Sequence, residues 1–149
     1  MPLTGDYEPS TIDWVREQVE LYESSGGTQA TTLRDTGIPV VIMTMYGATS
    51  GKLRKVPIMR VEHEGRYALV ASQGGAPKHP QWYWNLRADP HVQLQDRGVM
   101  HDLVAREVSG DEKRVWWERA VAAFAPYAQY QERTEREIPL FVAEPLDGG

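Results

Sequence analysis

The sequence predicts an α+β protein built on an antiparallel barrel or a strongly curved sheet. Three observations lead there. About six strand-like segments occur, most of them paired across tight turns such as Glu64-Gly65 and Arg97-Gly98. Helical patterns stand at both ends of the chain, and two more lie between. A GxGxxG fingerprint is missing, so a Rossmann dinucleotide site is not expected.

Residues 1–10 read as an irregular lead-in. Ser10 or Thr11 can cap a helix running to about Ser24, with Asp13 in its first turn favourable to the dipole. Ile12, Val15, Val19 and Tyr22 recur at helical spacing, and Trp14 and Leu21 widen that apolar face. Gly26-Gly27 ends the helix, and residues 28–37 form a polar connector. Ile38–Met45 is apolar throughout and rich in β-branched residues, as expected of a strand covered on both faces. Tyr46–Lys52 is a turn with two glycines and two hydroxyls. Lys55–His63 resumes as a strand that Pro57 confines to an edge or a bulge, and Arg66–Ser72 returns from the Glu64-Gly65 turn. Val70–Asn85, VASQGGAPKHPQWYWN, starts as a strand, breaks at Gly74-Gly75 and re-forms as a short aromatic helix that Asp89-Pro90 stops. Val92–Asp96 and Val99–Glu107 form a further hairpin. Ser109-Gly110-Asp111-Glu112 matches a capping box and opens a helix to about Ala125, with Val115, Trp116, Val121 and Phe124 on its apolar face. A short tyrosine-bearing segment, Tyr127–Arg136, precedes the last strand, Ile138–Pro145. Residues 1–149 are expected to form one domain, with an N-terminal helical part (1–27) and a barrel part (38–145).

Composition excludes several classes. With 41% hydrophobic and 25% charged residues, neither disorder nor an integral membrane protein is expected. The N-terminus lacks a basic and an apolar signal region, so a cytoplasmic location is expected. Peripheral membrane contact through the first helix is the alternative. The formal charge of −5 argues against a nucleic-acid partner. The absence of Cys removes disulfides, thiolate catalysis and Cys-based metal sites. The charge is uneven, however. Lys52, Arg54, Lys55, Arg60 and Arg66 cluster against Glu62 and Glu64, which suits a small anionic ligand or simply a solvated hairpin.

Hydrolytic constellations are absent. His63, His79, His91 and His101 show no metal-ligand spacing, and neither a nucleophile elbow nor a P-loop nor a GxGxxG fingerprint occurs. Hard chemistry would therefore belong to an organic cofactor. Ala48-Thr49-Ser50 offers hydroxyls and main-chain N–H groups, and Arg54 and Lys55 offer cations, which together make a candidate phosphate seat. Ser72, Gln73 and the glycines offer close backbone donors, and Trp82 and Trp84 offer flat surfaces. Tyr127 and Tyr130 could wall a pocket for a flat substrate, or simply pack a helix.

The run Ser72-Gln73-Gly74-Gly75-Ala76-Pro77-Lys78-His79-Pro80-Gln81-Trp82-Tyr83-Trp84-Asn85-Leu86 resembles the hallmark S-x-GG-x-x-x-x-P-x-W-Y-x-N-L of the deazaflavin (F420)-dependent nitroreductase family, in flavin/deazaflavin oxidoreductase group A. Ala88-Asp89-Pro90 and Val92 continue the match. Two flanking patterns agree as well: Gly47-x-x-Ser50-Gly51-x-x-Arg54-x-x-Pro57, and Tyr127-x-x-Tyr130-Gln131 leading to Ile138-Pro139 and Glu144-Pro145.

That resemblance implies a split β-barrel related to flavin-mononucleotide (FMN)-binding oxidases, with coenzyme F420 as cofactor and FMN as the alternative. It implies a cofactor site made of Ala48, Thr49, Ser50, Arg54, Lys55, Val56, Pro57, Ile58 and Met59, completed by Val70, Ala71, Ser72, Gln73, Lys78, Gln81, Trp82, Tyr83, Trp84 and Asn85. Catalytic roles fall to Tyr127, Ser72 and Tyr130, with Tyr127 donating a proton or positioning the substrate, and no metal is implied. The expected activity is hydride transfer from reduced F420 to a quinone, an enone, an unsaturated lactone of coumarin or aflatoxin type, or a nitroaromatic. The alternatives are an FMN-dependent oxidoreductase and a non-enzymatic deazaflavin carrier. A monomer or weak homodimer is expected. The chain departs from the family pattern at Ala48-Thr49 (a basic pair), Gln73 (a lysine) and Phe124 (a wall tyrosine). Fewer cations imply weaker holding of the polyglutamate tail, with Arg54, Lys55 and Lys78 as compensation.

Overall fold

A computed structural model describes residues 3–33 and 36–145; the remaining residues, at both ends and within the expected connector, lie outside the described set. The elements run α1 (Asp13–Ser24), β1 (Val40–Tyr46), β2 (Leu53–Met59), β3 (Glu62–His63), β4 (Arg66–Val70), α2 (Gln81–Ala88), β5 (His91–Asp96), β6 (Val99–Glu107), α3 (Gly110–Ala123), α4 (Pro126–Arg133) and β7 (Leu140–Pro145). The described strands form a single antiparallel sheet in the order β2-β1-β5-β6-β7-β4-β3.

The two ends of that order, β2 and β3, are consecutive in sequence, and this is what curls the sheet. The strand expected over Lys55–His63 is in fact two strands that change partners between them. The N–H of Arg60 still donates to Pro39 O beside β1 (3.0 Å), while Val61 O already accepts from Ala68 N–H of β4 (2.9 Å). The result is the expected split barrel with one strand more than the pattern suggested. At the crossing, Arg60 Nε lies 2.8 Å from Asp96 Oδ2, and the Tyr67 hydroxyl donates to the same oxygen at 2.6 Å. The outer edge of β2 is covered by the lead-in, where Glu8 N–H donates to Leu53 O and Leu53 N–H to Asp6 O.

β1 reads as continuously apolar because both of its faces are buried. Val41, Met43 and Met45 point into the barrel with Leu69, Leu94 and Phe141, whereas Val40 and Ile42 meet Val19 and Tyr22 of α1. Tyr22 and Val19 are fully buried, each worth about 1.5–3 kcal/mol of apolar burial. On the other side, Ala68, Val70 and Val142 pack against Trp116, Phe124 and Tyr127.

Two expectations about helix ends change. No hydroxyl caps α1: Ile12 occupies the N-cap position, and Ser10 Oγ merely accepts from Ile12 N–H at 3.1 Å. The α1 face is also rotated. Trp14 and Leu21 are 37% and 44% exposed, and Gln18 is buried instead, because its amide donates to the carbonyls of Ala30 and Thr32 in the connector. The capping box at α3 does not form either. Ser109 makes no side-chain cap, and Glu112 turns to a bidentate pair with Arg106 (2.8 Å for both bonds). A two-pronged charge-assisted contact outcompetes one bond to a peptide N–H.

Candidate active site

Two adjoining clefts open between α2 and the barrel. The larger, about 380 Å³, is mostly apolar. Its barrel side is Pro57, Ile58 and Met59 of β2 together with Val70, and Trp82 of α2 closes one end. Phe124, Tyr127 and Tyr130, contiguous with Met59 and Val70, line it on the helical side, and Trp14 and Val15 of α1 with Leu33 of the connector complete it. Ser72, Gln73 and Gly74 supply the polar margin. Tyr127 is 4% exposed, edge-on to Phe124 with ring centroids 4.9 Å apart, and burial pushes its phenol well above the ordinary value. At neutral pH it is therefore a donor facing an apolar cavity.

The margin has a particular backbone. Ser72 is right-handed helical (φ −78°, ψ −39°) and Gln73 follows at φ 44°. Successive residues of these two hands turn their N–H groups inward into an anion-binding concavity. Among the described residues, the N–H groups of Ser72, Gln73 and Gly74 take no protein acceptor. Gly75 then passes so close to α4 that a Cβ there would stand 2.7 Å from Tyr130 O.

The second cleft, about 320 Å³, is polar and is lined by Gly47, Ala48, Thr49, Ser50, Arg54, Gln81, Asn85 and Glu8. Asn85, buried on α2, accepts from Ala48 N–H at 2.9 Å and so fixes the turn against the helix. Pro80 occupies the N-cap of α2 without a side-chain cap, leaving the first-turn N–H groups of Gln81 and Trp82 open. Glu8 fills part of the space, accepting from Ser50 Oγ (3.1 Å) and pairing with Arg54 (3.3 Å).

Other expected site residues lie outside both clefts. Strand alternation sends Arg54 and Lys55 to opposite faces, and the Lys55 ammonium pairs with Glu23 at 2.5 Å and sits over the Tyr7 ring. Val56 and Tyr83 pack in the barrel core, where the Tyr83 hydroxyl accepts from Arg87. Ala71 is fully buried, Lys78 is exposed, and Trp84 is 49% exposed against the His79 ring.

The residue that sequence reasoning missed is Arg136. Its Nε donates to Ala76 O (2.8 Å), its Nη1 to Ala71 O (3.2 Å) and to His79 Nδ1 (2.9 Å), and its Nη2 to Ser72 O (2.7 Å). One guanidinium thus ties down the whole 71–79 segment. Burial lowers its pKa, and burial, then the neighbouring Arg136, lower that of His79. His79 therefore accepts through Nδ1 as a neutral imidazole. No spacing rule connects an arginine before the last strand to a loop some sixty residues earlier. Glu8, Trp14, Val15 and Leu33 went unassigned for the same reason.

The fold is a split barrel with an apolar and a polar cleft, an arrangement suited to a bound organic cofactor. A family model described as F420H(2)-dependent quinone reductase matches residues 14–145, and the chain belongs to that family. An F420H(2)-dependent quinone reductase of Mycobacterium tuberculosis (strain ATCC 25618 / H37Rv) is 31% identical over 107 residues, 70% of this chain and 72% of the relative. A solved structure described as an F420-H2 dependent reductase (FDR-A) is 53% identical, covers 71% of this chain and 94% of its own, and superposes with a TM-score of 0.68. A second solved structure, described as a domain-swapped dimer, is 50% identical over 91% of this chain and all of its own, with a TM-score of 0.71. The protein is accordingly an F420H2-dependent reductase, and its cofactor is coenzyme F420. The site residues fit that group: a mostly apolar cleft bordered by unclaimed N–H donors lies near a polar cleft with an arginine and open helix N–H groups, the two meeting at Pro80, Gln81 and Trp82. Among the described residues, no helix is long and apolar enough to cross a membrane.

Proposed function

We propose that this protein reduces quinones, and by extension enones, coumarin- or aflatoxin-type lactones and nitroaromatics, with the ring of the cofactor in the apolar cleft and its phosphate-bearing tail toward the polar one. The observation that carries the reading is the apolar cleft itself. It pairs a polar margin of free N–H groups with an aromatic wall holding a buried, protonated Tyr127. When bound, reduced F420 supplies a hydride.

The chain's own residues do the rest. Ile58, Met59 and Val70 line the cleft with Phe124, Tyr127 and Tyr130, and in this reading the aromatic rings hold a flat electrophile and keep water out. Holding the partners in contact can lower the barrier by about 7–11 kcal/mol when orientation is good. A quinone that has accepted a hydride needs one proton to become a neutral hydroquinone, and in this reading Tyr127 hydrogen-bonds the oxyanion or donates that proton and regains one from solvent. Ser72 and the adjoining N–H groups stabilise negative charge at the polar margin. Ala48, Thr49, Ser50, Arg54, Gln81 and Asn85 receive the tail. A dimer, as described for the 50%-identical relative, is the assembly we assign, with a monomeric mass in light scattering as the contrary result.

Steady-state oxidation of reduced F420 across a panel of quinones, enones, lactones and nitroaromatics tests this. Turnover with quinones is expected. Binding of F420 without oxidation by any compound would leave a carrier, and tight FMN binding without F420 binding would overturn the cofactor assignment. Tyr127→Phe is expected to lower kcat by roughly 10²-fold with little change in cofactor affinity. Full kcat on every substrate would reduce Tyr127 to packing.

A further inference from the structure

We infer that Arg136 is a positioning residue of this active site, whose charge polarises the peptide groups that present the N–H donors of Ser72 and Gln73 to the cleft. The inference rests on the reading of the cleft as the seat of the reaction.

Three facts carry it. The guanidinium donates to the carbonyl oxygens of Ala71 and Ser72, at 3.2 and 2.7 Å. No cis peptide bond occurs among the described residues, so each N–H on the same peptide units points away from Arg136. Those N–H groups belong to Ser72 and Gln73, which line the cleft with Gly74, whereas Arg136 does not. The guanidinium therefore stands behind the donors, at the carbonyl end of both peptide dipoles.

The charge is also left unneutralised. Among the described residues no carboxylate pairs with Arg136; its guanidinium's partners are three carbonyls and Nδ1 of His79. A cation bonded to a peptide oxygen draws density from the whole unit and makes its N–H a stronger donor, and hydrogen bonds in such a chain reinforce one another. A ligand edge facing Ser72 and Gln73 is thus favoured more when it is electron-rich. Two-electron reduction makes a conjugated ring more electron-rich, so the effect falls more on the reduced ligand than on the oxidised one. Holding the loop in place, by contrast, favours both redox states alike.

The test compares wild type with Arg136→Lys, which keeps the charge, and Arg136→Gln, which keeps neutral donors. Dissociation constants for oxidised and reduced F420 are measured by fluorescence titration, and their ratio gives the potential of the bound cofactor. Amide proton shifts of Ser72 and Gln73 are read by NMR in the unliganded proteins. Arg136→Gln is expected to weaken the reduced form roughly tenfold more than the oxidised form, the scale of one charge-assisted hydrogen bond, and to move both amide protons upfield. Arg136→Lys is expected to keep most of the ratio. A ratio in Arg136→Gln within about twofold of wild type, the scatter of independent contributions, would overturn the inference and leave Arg136 a staple. If wild type binds neither redox form, the functional reading fails, and unmoved amide shifts then decide against the polarisation separately.

Discussion

Two arginines each close a junction in this barrel, and they do so in opposite electrostatic styles. Arg60 sits where the chain leaves β1 for β4 and is met by the carboxylate of Asp96, which also accepts the Tyr67 hydroxyl. His101 Nε2 lies 3.3 Å from that hydroxyl. Arg136 sits where α4 returns to β7 and is met by carbonyls and an imidazole. The first junction is charge-balanced, although Arg60 and Asp96 also line a separate cleft of about 370 Å³. The second leaves a cation beside a loop whose N–H groups face one. A balanced network fixes the barrel, whereas an unbalanced one leaves a field to be used.

The largest test of that contrast is Asp96→Ala. It strips the partner from Arg60 and from a buried tyrosine, and urea denaturation is expected to show a loss of about 2–4 kcal/mol. The figure is set below the cost of breaking a fully buried pair because Arg60 is 37% exposed. F420 affinity of the folded protein should not change; a parallel fall in affinity would merge the two junctions into one. Gly75→Ala attacks the other side. It combines φ 80° with a Cβ 2.7 Å from Tyr130 O, and about 1–3 kcal/mol of strain is expected to separate the loop from α4. There F420 affinity should fall more than stability does.

Glu8→Gln is smaller. It removes a carboxylate that occupies the polar cleft beside Ser50 and Arg54, both partly exposed, so F420 binding should tighten by no more than about 1 kcal/mol and most at low salt. Weaker binding would show that Glu8 orients Arg54 rather than competing with the ligand. The smallest effect is in pH. His79 has a folded pKa below its ordinary 6.5, so the unfolded chain binds the extra proton first. Stability linked to His79 is therefore full above about pH 6.5 and declines as the pH falls through that value toward the folded pKa. His79→Asn, with an acceptor that does not titrate, should flatten this part of the melting-temperature profile.

What the chain disclosed in advance follows from the range of the interactions. β1 was visible because a strand buried on both faces must be apolar throughout. The hairpins at Glu64-Gly65 and Arg97-Gly98 were visible because each turn ends on a glycine between two strand-like runs, and at Gly65 a φ of 81° favours it; the left-handed Glu64 and Arg97 gave no such signal. Pro57, Ile58, Met59, Ser72, Gln73, Trp82 and Tyr127 could be proposed together because motif spacing ties them to one family, and they share one cleft. The failed capping box and the pairing of Lys55 with Glu23 were hidden for one reason: each is settled by a partner's geometry across the fold. Arg136 was hidden more deeply, since nothing near it in sequence hints that its acceptors are the carbonyls of residues 71, 72 and 76.

The donors at the cleft margin belong to the main chain, and this has a consequence for how the protein can change over generations. A substitution at position 73 alters a side chain that is exposed, while the peptide N–H that would meet the ligand survives any replacement that accepts the left-handed φ of 44°, which proline cannot and β-branched residues do only with strain. Inheritance of cofactor recognition is thereby uncoupled from the identity of the residue that bears it. The aromatic lining has no such protection, because Phe124, Tyr127 and Tyr130 meet the cleft with their side chains. If the aromatic lining selects the substrate, as proposed above, editing it would change the substrate while leaving the peptide margin in place.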